Sequence, residues 1–434
     1  MKEINFDIES TIEFPTPITE YKHSCKHVLI ATHIPNWVSL NDSEYHLYKE
    51  MQEGKTILES LQSLHLEFGF SEDKCTNIIT RFLSKIEDSK FYLSNDGEDE
   101  ESIRSFQKSI HLEITSDCNI RCKHCYMSAG KLNAKHLSLN EIIDFFNENE
   151  LERINKDIII SGGEPMIHPD FKEIVQYLKR LDFKICLFTN GLLIDSDCIG
   201  YLSENIDSVQ ISMEGITKDS YEKIRGKNTY EKLINSINLI KSNSIYLILA
   251  ITVLDDTIND IDENLEEFLK QLSYDNIEVR INDEIEKKGN ALSLSDNNFN
   301  NIVFNKSKVK SIIDKVENQG FYFSPSNSKC KRFTNCGIGA SIVISSTGDI
   351  YPCNDYEQPS EFNILNSTLT DVIEKYDSIN EDTSTKNILK CNSCEIKYLC
   401  GGGCRTKNLR ERGSMNAISC NKTKIISDIA ISMI

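Results

Sequence analysis

The sequence predicts an α/β fold built on a parallel sheet, with a small α+β region before it and an irregular, cysteine-rich region after it. Three observations carry this. Between about residues 109 and 298, short β-branched segments alternate with helical ones, the β-α rhythm that yields a parallel sheet, open or closed into a barrel. Ahead of it, two short strand patterns are followed by three helical ones. Behind it, eight of the fifteen cysteines lie beyond Phe321, in a stretch with little periodicity.

The N-terminal region, residues 21–93, places strands at 27–32 and 37–40 and helices at 43–53, 56–67 and 72–87. The last helix aligns Ile78, Ile79, Phe82, Leu83 and Ile86 on one stripe behind Ser71 as N-cap. Residues 95–101, Asn-Asp-Gly-Glu-Asp-Glu-Glu, read as an acidic linker. The central strands fall at 110–115, 157–161, 183–189, 208–213, 246–253 and 277–281. One intervening helix, 139–149, opens with the capping box Ser138-x-x-Glu141, and Pro169 stands near the start of another. In the last region, 342–344 and 349–351 read as a hairpin turning at Ser346-Thr347-Gly348. The domains expected are 1–94, a linker at 95–108, 109–298 and 299–434.

At 434 residues the chain is long enough for two or three cores. A net charge of -19 argues against a nucleic-acid partner. No apolar run is long enough to span a bilayer, and the start lacks a signal peptide's basic and apolar segments, so the expectation is cytoplasmic with no membrane partner. In a reducing compartment, cysteines in short-spaced groups point to metal or catalysis rather than to disulfides. Cys25, Cys75, Cys186 and Cys198 stand outside these groups; Cys75 and Cys186 lie among apolar positions and read as small buried hydrophobes.

Directly after the first central strand comes Cys118-x3-Cys122-x2-Cys125. Three thiolates on one loop can hold three irons of a 4Fe–4S cube and leave the fourth open to a small ligand. A structural zinc ion would want a fourth ligand, for which His124 is the candidate. At the ends of the following strands stand Gly162-Gly163-Glu164-Pro165, Thr189-Asn190-Gly191, Ser212-Met213-Glu214-Gly215 and, further on, Arg225. Glycines permit close backbone approach and Glu164 offers a carboxylate to an ammonium. In this order the motifs resemble the radical S-adenosylmethionine superfamily. The resemblance implies a partial (β/α)6 TIM-like barrel, with Cys118, Cys122 and Cys125 on the cluster. It also implies that Gly162, Gly163 and Glu164 hold the amino group of S-adenosylmethionine. Asn190 lies near that ligand, Ser212 and Glu214 near its ribose and methionine part, and Arg225 on its carboxylate. Lys288-Gly289-Asn290-Ala291 more weakly resembles a segment near adenine. The chemistry implied is reductive cleavage to a 5′-deoxyadenosyl radical that abstracts hydrogen, with flavodoxin or ferredoxin as reductant.

The cysteines of the last region are spaced Cys330-x5-Cys336, Cys353, Cys391-x2-Cys394-x5-Cys400-x3-Cys404 and Cys420. Eight thiolates suit two fully ligated 4Fe–4S cubes, and two zinc sites are the alternative from spacing alone. The pattern is similar to the SPASM extension of the superfamily. By that resemblance Cys330, Cys336, Cys353 and Cys404 hold the nearer auxiliary cluster, and Cys391, Cys394, Cys400 and Cys420 the farther one, three clusters in all. Saturated cubes imply electron transfer. Relatives that mature sulfatases carry an acidic residue where this chain has Asn354, which takes no proton at neutral pH; Asp355 is the remaining general-base candidate.

Residues 21–93, with Asn36 to Tyr45 the best-matching piece, look like a winged-helix recognition element that captures a precursor peptide's leader as an added strand. A DNA-binding winged helix is disfavoured, because eight Lys and Arg face eleven Asp and Glu between Glu20 and Ser94. The whole resembles peptide-crosslinking maturases of the streptide type. The function expected is an oxidative crosslink, carbon–carbon, ether or thioether, in a ribosomal precursor peptide. The alternative is modification of a folded protein or a small molecule.

Overall fold

In the central region the register of the parallel strands separates two sets of side chains, because alternate residues of a strand point to opposite faces. In the computed structural model six parallel strands follow one another as neighbours: β4 (Lys108–Thr115), β5 (Ile154–Gly162), β6 (Lys184–Thr189), β7 (Ser208–Met213), β8 (Tyr246–Thr252) and β9 (Ile277–Asn282). The structure describes residues 7–23, 26–34, 36–93, 108–130, 134–146, 148–274, 276–282, 285, 288–294, 306–318, 322–323, 334–418 and 420.

One face of this sheet is aliphatic and almost fully buried: Ile110, Leu112, Ile114, Ile158, Ile160, Leu187, Val209, Ile211, Leu249 and Val279. Amphipathic helices such as Phe171–Arg180 and Ile258–Leu272 bring buried Ile174, Val175, Leu178, Ile261, Leu265 and Leu269 as their own apolar stripes. The other face carries His111, Glu113, Ser161, Phe188, Gln210, Ser212, Glu278 and Arg280, and cross-strand contacts confirm that they share it. His111 hydrogen-bonds Ser161, and Arg280 donates to Gln210 at 3.0 Å and to Glu278 at 2.7 Å.

The hairpin forms as expected, β11 (Ser341–Ile344) with β12 (Asp349–Tyr351). Its place was not foreseen: β11 adds in parallel to the free edge of β4, and β13 (Phe362–Asn363) follows β12. On the other side β10 (Tyr322–Phe323) pairs with β9, so β4 and β9 do not meet and the sheet stays open.

The chain divides into two compact units. One comprises Gln107–Ser328 and Gly339–Asp377, the sheet just described; the other joins Met1–Phe106 with Lys329–Ile338 and Ser378–Ile434. In the latter, β1 (Ile18–His23), β2 (Lys26–Ala31) and β3 (Trp37–Asn41) form an antiparallel sheet followed by helices α1 (Asp42–Gln52), α2 (Ile57–Phe68) and α3 (Glu72–Asp88). Capping boxes start α1 at Asn41 and α2 at Thr56, and Ser71 caps α3. Leu29, Val38 and Leu40 pack with Leu47, Leu64, Phe82 and Ile86 on one side of the sheet. On the other, Val28 and Ile30 pack with Ile396, Tyr21, Trp37, Cys394 and Cys400. Tyr21 donates to Glu395 at 2.9 Å and Tyr398 to the His33 carbonyl at 3.2 Å, so the sheet is laid against the C-terminal cysteine loop.

Two expectations need correction. The helix expected over 139–149 ends at Phe145, where polar Asn147 to Asn149 break its stripe, and a short 3-10 turn follows at Glu148–Arg153. Cys186 is only half-buried on the polar sheet face, whereas Cys75 is buried at 2 % exposure in the helical core. Cys25, Cys330 and most of the expected linker lie outside the described residues.

Candidate active site

The loop after β4 carries the three cysteines, and the ends of β5, β6 and β7 close round it. Cys118 and Cys125 are half-buried and Cys122 is buried. Burial raises the Cys118 thiol and pushes Cys122 up to about 12, even with Arg225 pulling the latter down. Cys122 accepts from Cys125 through its carbonyl at 3.3 Å, and the Ala129 N–H donates to the Cys125 sulfur at 3.4 Å. Asn290 clamps the loop from outside, its N–H on the Cys125 carbonyl at 2.8 Å and its side chain on that of Cys122 at 3.1 Å. The segment from Lys288 to Ala291 therefore backs the cysteine loop.

The glycines after β5 serve a closer purpose than ligand access. A Cβ on Gly162 would lie 2.2 Å from the Thr115 carbonyl oxygen, and one on Gly163 would lie 2.0 Å from that of Asp117. Gly163 and Glu164 donate their N–H groups to those same carbonyls at 2.8 Å each. The pair lets the end of β5 dock on the cysteine loop. Glu164 has no exposed surface. Its carboxylate accepts from the Thr189 hydroxyl at 2.9 Å, the Asn190 N–H at 2.9 Å and the Met166 N–H at 3.2 Å, while burial raises its pKa. Asn190 donates to Asn119 at 2.7 Å and stands 3.9 Å from the Cys118 sulfur.

After β7, Glu214 is fully buried and paired twice with Arg225, Nε at 2.5 Å and Nη2 at 2.6 Å. Burial would raise this carboxyl; the charges of Arg225 and His124 outweigh it and hold the group near 2. His124 reaches Glu214 with Nε2 at 3.3 Å, while its Nδ1 is buried with no partner in the structure. Its Nε2 is thus engaged away from the cysteines. Ser212 is half-buried on the polar sheet face.

Apart from Ser212, sequence reading gave the residues of that face no role. Glu113, 8 % exposed, accepts from the Tyr126 hydroxyl at 3.0 Å, and burial raises its pKa. Tyr126 itself is 51 % exposed, so it borders open space beside the cysteine loop. The Asp355 charge acts on Tyr126, and Asn354 hydrogen-bonds His111, which burial keeps neutral with a pKa of about 4. The signal was available: His111 and Glu113 alternate with Ile110, Leu112 and Ile114 in the first central strand.

Among the other cysteines, Cys336 and Cys404 lie together, the Cys336 thiol hydrogen-bonding Cys404 and holding it down to about 5. Cys391, Cys394, Cys400 and Cys420 lie close enough to act on one another's charge. Cys353 follows β12 in the other unit. Among the described residues no three Cys, His, Asp or Glu side chains already converge as a ready-made metal site. The donor chemistry nonetheless suits iron–sulfur clusters: three thiols share one loop beside an unpartnered imidazole nitrogen, with grouped thiols in the second unit.

Comparison with known proteins agrees with this geometry. Residues 112–269 match the family model of the Radical SAM superfamily. The match is confined to that segment, and the chain that carries it is an enzyme. Over 155 residues the chain is 30% identical to the mycofactocin maturase MftC of Mycolicibacterium smegmatis, an alignment covering 35% of this chain and 39% of the maturase. Streptococcus suis SuiB, in a crystal structure bound to its precursor peptide SuiA, superposes with a TM-score of 0.58 at 14% identity, covering 95% of this chain and 99% of SuiB. The enzyme anSMEcpe, with bound AdoMet and a peptide, gives a TM-score of 0.58 at 21% identity, covering 75% of this chain and 96% of that one. At these identities the two structures speak for the fold. No helix among the described residues is long and apolar enough to cross a membrane.

Proposed function

We propose that the chain is a peptide maturase that installs an oxidative crosslink in a ribosomal precursor peptide held by its leader. The supporting relatives are MftC, named as a maturase, and SuiB, whose structure holds its precursor peptide. The observation that carries the reading is the N-terminal sheet. Both its faces are buried, one under α1 to α3 and the other against Ile396 and the cysteine loop. Its outer strands β1 and β3 each pair on one side, so an extended peptide would be taken at a sheet edge, by added main-chain pairing.

Cys118, Cys122 and Cys125 would hold a 4Fe–4S cluster, and the Gly162–Glu164 turn, Asn190, Ser212, Glu214 and Arg225 would surround S-adenosylmethionine. When bound, these groups supply a reductively generated 5′-deoxyadenosyl radical. The chain's own part is to hold the cysteine loop through Gly163, Glu164 and Asn290 and to keep Glu214 ionised through Arg225. The polar sheet face, with Glu113, Tyr126, Gln210 and Arg280, would receive the reacting peptide. Glu113 joins Asp355 as a candidate proton acceptor. The remaining eight cysteines would hold two auxiliary clusters, with a flavodoxin or ferredoxin as reductant.

The test is to reconstitute the chain anaerobically and incubate it with short peptides encoded beside its gene. The expected product is a leader-dependent loss of two hydrogens, seen by mass spectrometry. Turnover of leaderless peptide at equal rate, or of a folded protein only, would replace this reading with the alternative of a protein or small-molecule modifier. Consumption of S-adenosylmethionine with every peptide unchanged would end it.

A further inference from the structure

Arg405 is among the largest side chains in the protein with no exposed surface. It opens the helix Arg405–Arg412, directly after Cys404. All five of its guanidinium N–H donors are taken. Nε and Nη2 donate to the Thr383 carbonyl at 3.0 and 2.8 Å, Nη1 to those of Gly402 at 2.7 Å and Gly403 at 3.3 Å, and Nη2 also to that of Gly401 at 2.8 Å. Gly401, Gly402 and Gly403 have φ of 57°, 75° and 76°. Three consecutive left-handed residues turn three carbonyls onto one cation, a conformation that side chains other than glycine's resist.

Every acceptor in this cage is a neutral carbonyl. Among the described residues no carboxylate stands within ion-pair distance of Arg405, and a buried guanidinium without an anion is costly. The groups that would answer it are sulfurs, anionic once they ligate a cluster. Cys336, Cys391, Cys400 and Cys404 are the groups whose charge acts on it, and the backbone N–H of Arg405 donates to the Cys336 sulfur at 3.4 Å. The guanidinium is thus caged by the three glycines that separate Cys400 from Cys404, on a residue whose backbone is bonded to Cys336.

We propose that Arg405 is the fixed counter-charge of the thiolate-bound iron–sulfur clusters of this unit, a positioning residue that holds their reduction potential up. The inference rests on reading these cysteines as cluster ligands. Reduction adds one negative charge to a cluster already made anionic by its thiolates, so a fixed cation beside it favours the reduced state. A cluster poised in this way accepts an electron from a substrate-derived radical more readily.

The experiment uses the full chain with Cys118, Cys122 and Cys125 changed to Ala, leaving only the auxiliary sites. Iron and acid-labile sulfide are measured first, then the potential by redox titration followed by electron paramagnetic resonance, in Arg405, Arg405→Lys and Arg405→Gln proteins. We expect two clusters' worth of iron in the parent. Arg405→Lys should titrate with the parent, and Arg405→Gln should need a potential lower by about 59 mV, on the order of a tenfold change in the reduced-to-oxidised ratio. Loss of iron in Arg405→Gln alone, retained in Arg405→Lys, also supports a requirement for the charge. Full iron with an unchanged potential in Arg405→Gln overturns the proposal while leaving the cluster reading intact. Equal loss in both variants overturns it too, making Arg405 a clasp for the glycine carbonyls. A parent without iron sinks the cluster reading itself.

Discussion

Replacing Arg225 by Met should destabilise the sheet unit chiefly by stranding Glu214. The carboxylate has no exposed surface and is held from an ordinary 4.5 to about 2 by Arg225 and His124 against the opposing effect of burial. That displacement corresponds to about 3 kcal/mol of preference for the charged form, in line with the ~3–5 kcal/mol lost when one partner of a buried pair is removed. For a unit of this size the loss reads as about 6–15 °C in thermal midpoint. The pH dependence has a definite sign. Because the folded carboxyl is lowered, its contribution is complete above pH 4.5 and is lost as pH falls toward 2. In Arg225→Met the unpaired carboxyl is pushed the other way and protonates on folding, so the deficit is largest at neutral pH and shrinks on acidification. Thermal melts of the metal-free chain between pH 4 and 8 measure both, beside Glu214→Gln and the double variant. The reasoning fails if Arg225→Met melts with the parent, or if the double variant is no more stable at pH 7 than Arg225→Met alone.

Gly163→Ala should abolish iron binding at the first cysteine loop, because the new Cβ would fall 2.0 Å from a backbone oxygen, whereas Gly200→Ala, with open space there, should leave iron content unchanged. Glu113→Gln should raise stability at neutral pH while lowering peptide turnover. Burial raises this carboxyl, so ionising it opposes folding above its folded pKa, and the difference between variant and parent should vanish below about pH 4; equal melts at every pH would refute this. Ile396→Ala should cost about 2–5 kcal/mol and speed hydrogen exchange in β2, whose Val28 and Ile30 rest on it. Unchanged exchange there would mean that the sheet does not depend on that contact.

Much of the scaffold was legible because aliphatic alternation is a strong signal. Strands β7 and β12 have the bounds expected, and the other strands foreseen differ by one to three residues at one end or both. Strand β1 was missed because Ile18–His23 follows Pro15 and Pro17 closely and lacks a clear alternation. The motif residues were legible one by one, but not their pairing. Nothing in Glu214 or Arg225 taken singly says that they bind each other twice, since that depends on how the helix Lys218–Arg225 returns to the end of β7. The two glycines of the Gly162–Glu164 turn were singled out for close approach to a ligand, and the fold makes a demand on them of its own. Their missing side chains admit the neighbouring strand's carbonyls, a demand visible only once β4 and β5 are adjacent.

The buried charges beside the two groups of cysteines are handled in opposite ways. At the first cysteine loop Glu214 has a cation, while Glu164 is held by hydroxyl and amide donors. Glu214 and Arg225 cancel there, which leaves Glu164, raised by burial, as the carboxyl that a cationic ligand would ionise. Beside the cysteines of the second unit the caged charge is a guanidinium, with no carboxylate at ion-pair distance among the described residues. One environment thus suits holding a cation beside a strongly reducing centre, and the other suits stabilising added negative charge. An enzyme that must deliver an electron at one end of a reaction and withdraw one at the other needs that difference, and fixed buried charges supply it without any movement of the chain.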